Sequence, residues 1–140
     1  MTNRRAIHVL IFDGFADWEP AHALAELRRS ARRTIRTVGF TGAPIVSMAG
    51  LRVMPDLELA AVCPEAVELL ILPGGDLWER TDYPRSALES LIIALLAEET
   101  PVAAICGGTL ALARTHALDD RRHTSNVRSY LPAYASEYAG

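Results

Sequence analysis

The chain has little cysteine, no long apolar run and no excess of charge, and each absence closes off a class of function. Two cysteines among 140 residues cannot build a disulfide framework. The N-terminal MTNRRAIHVLIFDGF lacks a small-residue cleavage site and reads as a first strand, so a reducing, cytoplasmic setting is expected. The four histidines are scattered and hold no zinc-type spacing with cysteine, so neither metal nor cofactor is expected. The longest apolar-rich stretch, Leu88 to Ala97, is interrupted by Glu89 and Ser90 and is too short to span a bilayer. A formal net charge of −3 gives no basis for nucleic acid or an anionic membrane as partner. The basic cluster Arg28, Arg29, Arg32 and Arg33 reads as a solvated helix end. Gly74-Gly75 is not followed by the Gly-Lys-Ser/Thr of a phosphate loop. With no repeat, linker or low-complexity segment, residues 1–140 are expected to form a single domain.

What is present alternates. Apolar, β-branched runs at Ile7–Phe12, Thr34–Phe40, Val67–Leu72 and Val102–Ile105 predict strands. Between them, Glu19–Arg29 predicts an amphipathic helix. Pro84 opens a second helix, with Ser86 and Glu89 spaced as a capping box. Its Leu88, Leu91, Ile92, Leu95 and Leu96 recur at the spacing of one helix face, and Pro101 ends it. Thr41–Pro55, rich in glycine and proline, predicts a hairpin or irregular excursion. Arg122–Thr124 is expected as a short strand and Ser125–Tyr130 as a last helical turn. This order predicts an α/β fold with a mostly parallel sheet and helices on both faces. Working sites of such sheets lie at the carboxyl ends of the strands. Three loops leave those ends: Asp13–Glu19, Pro73–Glu79 and Cys106–Gly108.

The segment AICGG sets Cys106 directly between a strand and a helix, with two small residues after it. A side chain at such an elbow stands clear of the sheet, as in the serine elbow of hydrolases. The helix start behind it supplies free N–H groups and partial positive charge, which favours the nucleophilic thiolate. The N–H groups of Gly107 and Gly75 are candidates for an oxyanion hole. Cys63, before Pro64, reads as an ordinary, partly shielded thiol. Among the acids of the first loop, Glu19 is the candidate partner of Cys106. Protonated, it donates a hydrogen bond to the sulfur; ionised, it repels it. An equally open role for Glu19 is to complement the helix dipole, with Asp17 as the cap. Trp18 and Trp78 flank two of the loops, as packing residues or as an apolar wall around a small substrate. His8 and His22 read as structural or surface residues, and His116 as the end of the elbow helix.

FDGFADWE, LLILPGGD and VAAICGGTLALA, in that order, resemble the ThiJ/PfpI family of the class I glutamine amidotransferase-like superfamily. The resemblance runs from the first strand to about Asn126. It implies a flavodoxin-like three-layer sandwich and a homodimer. It also implies a nucleophilic cysteine at Cys106, a first-loop carboxylate at Glu19, and an oxyanion turn at Gly74 and Gly75. There are three departures. The protease-like members have a histidine where Gly107 stands, so protease activity is not expected, and Glu79 reads as a solvated acid. The amidotransferase histidine would fall near RRHTSN, where Thr124 and Ser125 are pocket candidates; strand alternation would turn His123 away from the site. Finally, the chain is C-terminally short relative to the family, so exposed apolar surface is expected to be covered by dimerisation. Together these residues predict a cysteine-dependent enzyme of amidase or hydrolase type acting on a small electrophile. The alternative is a non-catalytic redox or stress-sensing protein in which Cys106 is reversibly oxidised.

Overall fold

The computed structural model describes residues 5–30 and 32–140. Five strands form a parallel sheet in the order β5-β2-β1-β6-β7: β1 (Ala6–Leu10), β2 (Ile35–Gly39), β5 (Leu57–Glu58), β6 (Val67–Leu72) and β7 (Val102–Ala104). The short strands β3 (Ile45–Val46) and β4 (Arg52–Val53) pair antiparallel in a separate hairpin, within the stretch expected to make an excursion. β1 and β6 are buried along nearly their whole length, which explains their continuous apolar runs.

Alternation along β1 sorts its side chains between two apolar layers. Ile7 and Val9 join Ile71 against Leu24 and Leu27 of helix α1 (Trp18–Arg29). Leu10 turns to the opposite face and meets the larger cluster, which includes Leu88, Ile92 and Leu95 of helix α2 (Arg85–Ala97) and Leu110 of helix α3 (Thr109–Arg114). The fold is therefore a flavodoxin-like α/β sandwich of helix, sheet and helices. Each fully buried leucine or isoleucine of α2 stabilises it by about 1.5–3 kcal/mol. His8 is buried within β1, with Nδ1 2.9 Å from the Ala6 carbonyl oxygen. Burial holds its imidazole below the ordinary value, keeping it neutral.

Several local expectations change. The capping box does not form: Pro84 occupies the cap position of α2 and no side chain caps the helix. Ser86 and Glu89 lie inside the helix, where Glu89 accepts a hydrogen bond from Arg85. Arg122–Thr124 is irregular rather than a strand and does not add to the edge of β7; its polar contacts run to its own backbone and to the tail. His123 instead places Nδ1 2.6 Å from the Arg121 carbonyl and Nε2 2.9 Å from the Tyr138 hydroxyl. The last helix, α4 (Tyr130–Tyr134), begins where the helical turn was expected to end. Distant partners hold this tail. Buried Arg114 donates to the Tyr83 hydroxyl and the Tyr134 carbonyl, and Arg85 pairs with Glu137. Among the described residues, no helix is long and apolar enough to cross a membrane.

Candidate active site

The sheet changes direction of growth at β1, with β2 on one side and β6 on the other. The loops after β1, β6 and β7 leave the carboxyl edge next to this switch point, where open α/β sheets bind ligands. They meet around Cys106.

Cys106 is exposed and has φ of 52°, in the left-handed region that a cysteine rarely occupies. The chain comes off β7 extended at Ile105, turns at Cys106, and passes through a 3₁₀ turn into α3. Polar links hold the turn from behind. The Thr109 hydroxyl donates to the Cys106 carbonyl at 2.7 Å, and the Ser125 hydroxyl lies 2.7 Å from that of Thr109. Ser125 thus braces the elbow through Thr109. Thr124 is exposed and, like Ser125, lies outside the cleft that holds the thiol.

The Pro73–Gly75 turn is the second wall. Glu19, half-buried in the first turn of α1, accepts a hydrogen bond from the Gly74 N–H at 2.5 Å. A Cβ built on Gly74 would lie 2.7 and 2.8 Å from the two Glu19 oxygens and 2.9 Å from the Cys106 Cβ. Only glycine lets the acid and the cysteine approach the turn from both sides. Gly75 has φ of 147°, and a Cβ there would lie 2.7 Å from the Phe12 ring. The Gly74 amide is committed to Glu19. Among the described residues, the N–H groups of Gly75 and Gly107 donate to no protein acceptor.

Asp17 occupies the cap position of α1 but makes no capping bond; its carboxylate accepts from the Ser47 hydroxyl at 2.5 Å. That bond ties the first loop to the β3–β4 hairpin. Trp78 is fully buried, donating from its indole N–H to the Pro73 carbonyl at 2.8 Å and packing edge-on against Phe12 and Tyr83. It supports the turn without lining the cleft. Trp18, 60% exposed, stands at the cleft mouth.

The cleft has a volume of about 180 Å³, below the usual range for drug-sized ligands, and so suits a small molecule. Glu19, Gly75, Glu79, Cys106, Gly107 and Tyr130 line it, with Met48, Asp76 and Asn126 completing the rim. Glu79 faces this cleft rather than open solvent alone. Tyr130, Met48 and Asp76 carried no functional signal in the sequence. Asn126 stands in the stretch where a histidine was sought, and no histidine lines the cleft among the described residues. Burial, with the Glu79 carboxylate beside it, pushes the Tyr130 phenol well above the ordinary tyrosine range. Among the described residues, no group of three or more His, Cys, Asp or Glu side chains could hold a metal ion.

Comparisons with known proteins agree with this architecture. Residues 5–138 match the DJ-1/PfpI family. An uncharacterized protease, YoaZ, of Bacillus subtilis (strain 168) is 34% identical over 97% of this chain and 67% of its own. A deglycase of Pyrococcus abyssi (strain GE5 / Orsay) is 31% identical over 84% of this chain and 69% of its own. The crystal structure of a DJ-1 superfamily protein from Agrobacterium tumefaciens superposes with a TM-score of 0.89 at 34% identity, covering 97% of this chain and 71% of that one. The chain thus spans about two thirds of the length of these relatives. With the elbow, the Pro-Gly-Gly turn and the first-loop acid on one sheet edge, the chain belongs to the DJ-1/PfpI family.

Proposed function

We propose that the chain is a cysteine-dependent enzyme, amidase- or hydrolase-like, acting on a small carbonyl or amide electrophile. The observation that carries this reading is the exposed, left-handed Cys106 sharing one cleft with Gly75 and Gly107, whose N–H groups are uncommitted. The sulfur lone pair forms the S–C bond, the carbonyl π pair moves to oxygen, and the Gly75 and Gly107 amides receive the oxyanion. Glu19 fixes the Gly74 turn and lines the same cleft as Cys106, where it serves to hydrogen-bond the sulfur or shuttle a proton. The deglycase name of one relative supports a carbonyl-type electrophile. Incubation with a small aldehyde or activated amide, followed by mass spectrometry of the intact chain and of turnover, tests the reading. A covalent adduct or turnover that disappears in Cys106→Ser supports it. Equal reaction of the variant and the parent chain removes it.

A second reading is favoured by the exposure of Cys106 and the lack of a histidine in its cleft: reversible oxidation to a sulfenate in a redox or stress response. Mild peroxide that modifies Cys106 before Cys63, with no turnover of any carbonyl substrate, selects this reading. As partner we propose a second copy of the chain. The edge of β7 is open, and Val46, Met48, Leu51 and Met54 expose apolar surface on and beside the hairpin. Light scattering at high concentration tests this; a monomer rules it out.

A further inference from the structure

Tyr130 is a polar group of the Cys106 cleft that the proposed reaction has not yet used. It opens α4, is 9% exposed, and lines the cleft with Cys106 and Gly107. Its hydroxyl lies 3.1 Å from the position a Cβ on Gly107 would take. Trp78 Cδ1 lies 2.9 Å from the same point. Position 107 therefore has no room for a side chain, because the phenol and the indole already occupy that space. The Tyr130 side chain is mostly buried but reaches the cleft, where its hydroxyl has the Glu79 carboxylate beside it as a hydrogen-bond partner. A hydroxyl that opens onto the cleft can turn from this carboxylate to an acceptor that forms beside it.

We infer that Tyr130 is a third hydrogen-bond donor to the oxyanion formed when Cys106 adds to a carbonyl, a catalytic residue beside the Gly107 amide. The inference rests on the proposed role of Cys106 as a nucleophile toward carbonyl carbon. In the step, the Cys106 thiol gives its proton to solvent, the thiolate lone pair forms the S–C bond, the π pair moves to oxygen, and no group leaves. The oxyanion then takes a proton from solvent to give the hemithioacetal. The Tyr130 O–H turns toward that oxygen and keeps its proton. Glu79 sets the state of the donor: its negative charge disfavours a phenolate beside it, so the phenol remains neutral and able to donate. The same charge opposes a second anion in the cleft, so Glu79 holds the donor ready at some expense to the oxyanion itself.

The test compares two reactions of the same thiol. Alkylation by iodoacetamide displaces iodide at a saturated carbon and creates no oxyanion. Addition to acetaldehyde labelled with ¹³C at the carbonyl does create one, and the hemithioacetal carbon is read by NMR. Tyr130→Phe keeps the ring and its packing on Tyr134, 5.2 Å between centroids. The expected result is an alkylation rate within about twofold of the parent and a hemithioacetal affinity lower by about tenfold or more. Glu79→Gln is expected to keep the donor and raise aldehyde affinity a few-fold. Unchanged aldehyde affinity in Tyr130→Phe overturns the inference and leaves the Cys106 reading intact. A parallel loss of both reactions makes Tyr130 a packing residue and also overturns it. If the parent chain forms no hemithioacetal that Cys106→Ser abolishes, it is the Cys106 reading that fails.

Discussion

The two cysteines of this chain are both exposed, yet they differ in backbone geometry and in the N–H groups around them. Cys63 has ordinary extended backbone, φ −93°, ahead of a 3₁₀ turn begun by Pro64. Glu65, two residues on, hydrogen-bonds its thiol and repels its thiolate, which lifts Cys63 above the ordinary thiol range. Cys106 sits in left-handed backbone, with free amides in front and a buried helix start behind. Exposure alone therefore says little about reactivity. Both have carboxylates nearby; what separates them is that the chain is bent at Cys106 to leave N–H groups uncommitted in the same cleft.

The largest expected effect tests that contrast directly. Cys106→Ser should remove fast labelling by a carbonyl electrophile, a loss of about 100-fold or more. Cys63→Ser should leave labelling unchanged; intact-mass spectrometry reads both. Gly107→Ala comes next. The added methyl has to displace Trp78 or Tyr130, so carbonyl addition should fall by about tenfold, with about 1–3 kcal/mol of stability lost in denaturant titration. Glu19→Ala leaves the Gly74 N–H without its acceptor, at about 1–3 kcal/mol, and should slow addition about fivefold by loosening the turn under the thiol. The smallest effect lies at the other cysteine. Because Glu65 raises the Cys63 thiol, less thiolate is present at neutral pH, and alkylation there should climb only as pH rises well into the alkaline range. Glu65→Gln should shift that profile to lower pH and speed Cys63 alkylation a few-fold, leaving Cys106 alone. Equal rates at the two thiols in the parent chain would dissolve the comparison.

Much of this was legible in the residues, and the reason is locality. Strand β6 and the apolar face of α2 announce themselves by period, since burial on one or both faces dictates the pattern within a few residues. The CGG turn is likewise a local device. Less visible were features held by distant partners. Asp17 looks like a cap, but Ser47 reaches it from the hairpin. Arg122–Thr124 looks like a strand, but His123 is held by the Tyr138 hydroxyl of the tail instead of joining the edge of β7. Tyr130 enters the cleft only because Arg114 and Arg85 pin the tail across α2 and α3, and α4 carries Pro132 within its single short run. No periodicity in YLPAYASEYAG signals that docking.

One indole stands at the mouth of the cleft and the other lies buried behind its wall, which makes the site observable by light. Trp78, sealed inside and bonded to Pro73, should emit at short wavelength and respond only when the platform beneath the thiol shifts. Trp18, at the mouth, should emit as a wet fluorophore open to soluble quenchers. Acrylamide would therefore silence one colour and spare the other, giving separate optical readings of entry to the cavity and of the integrity of its floor.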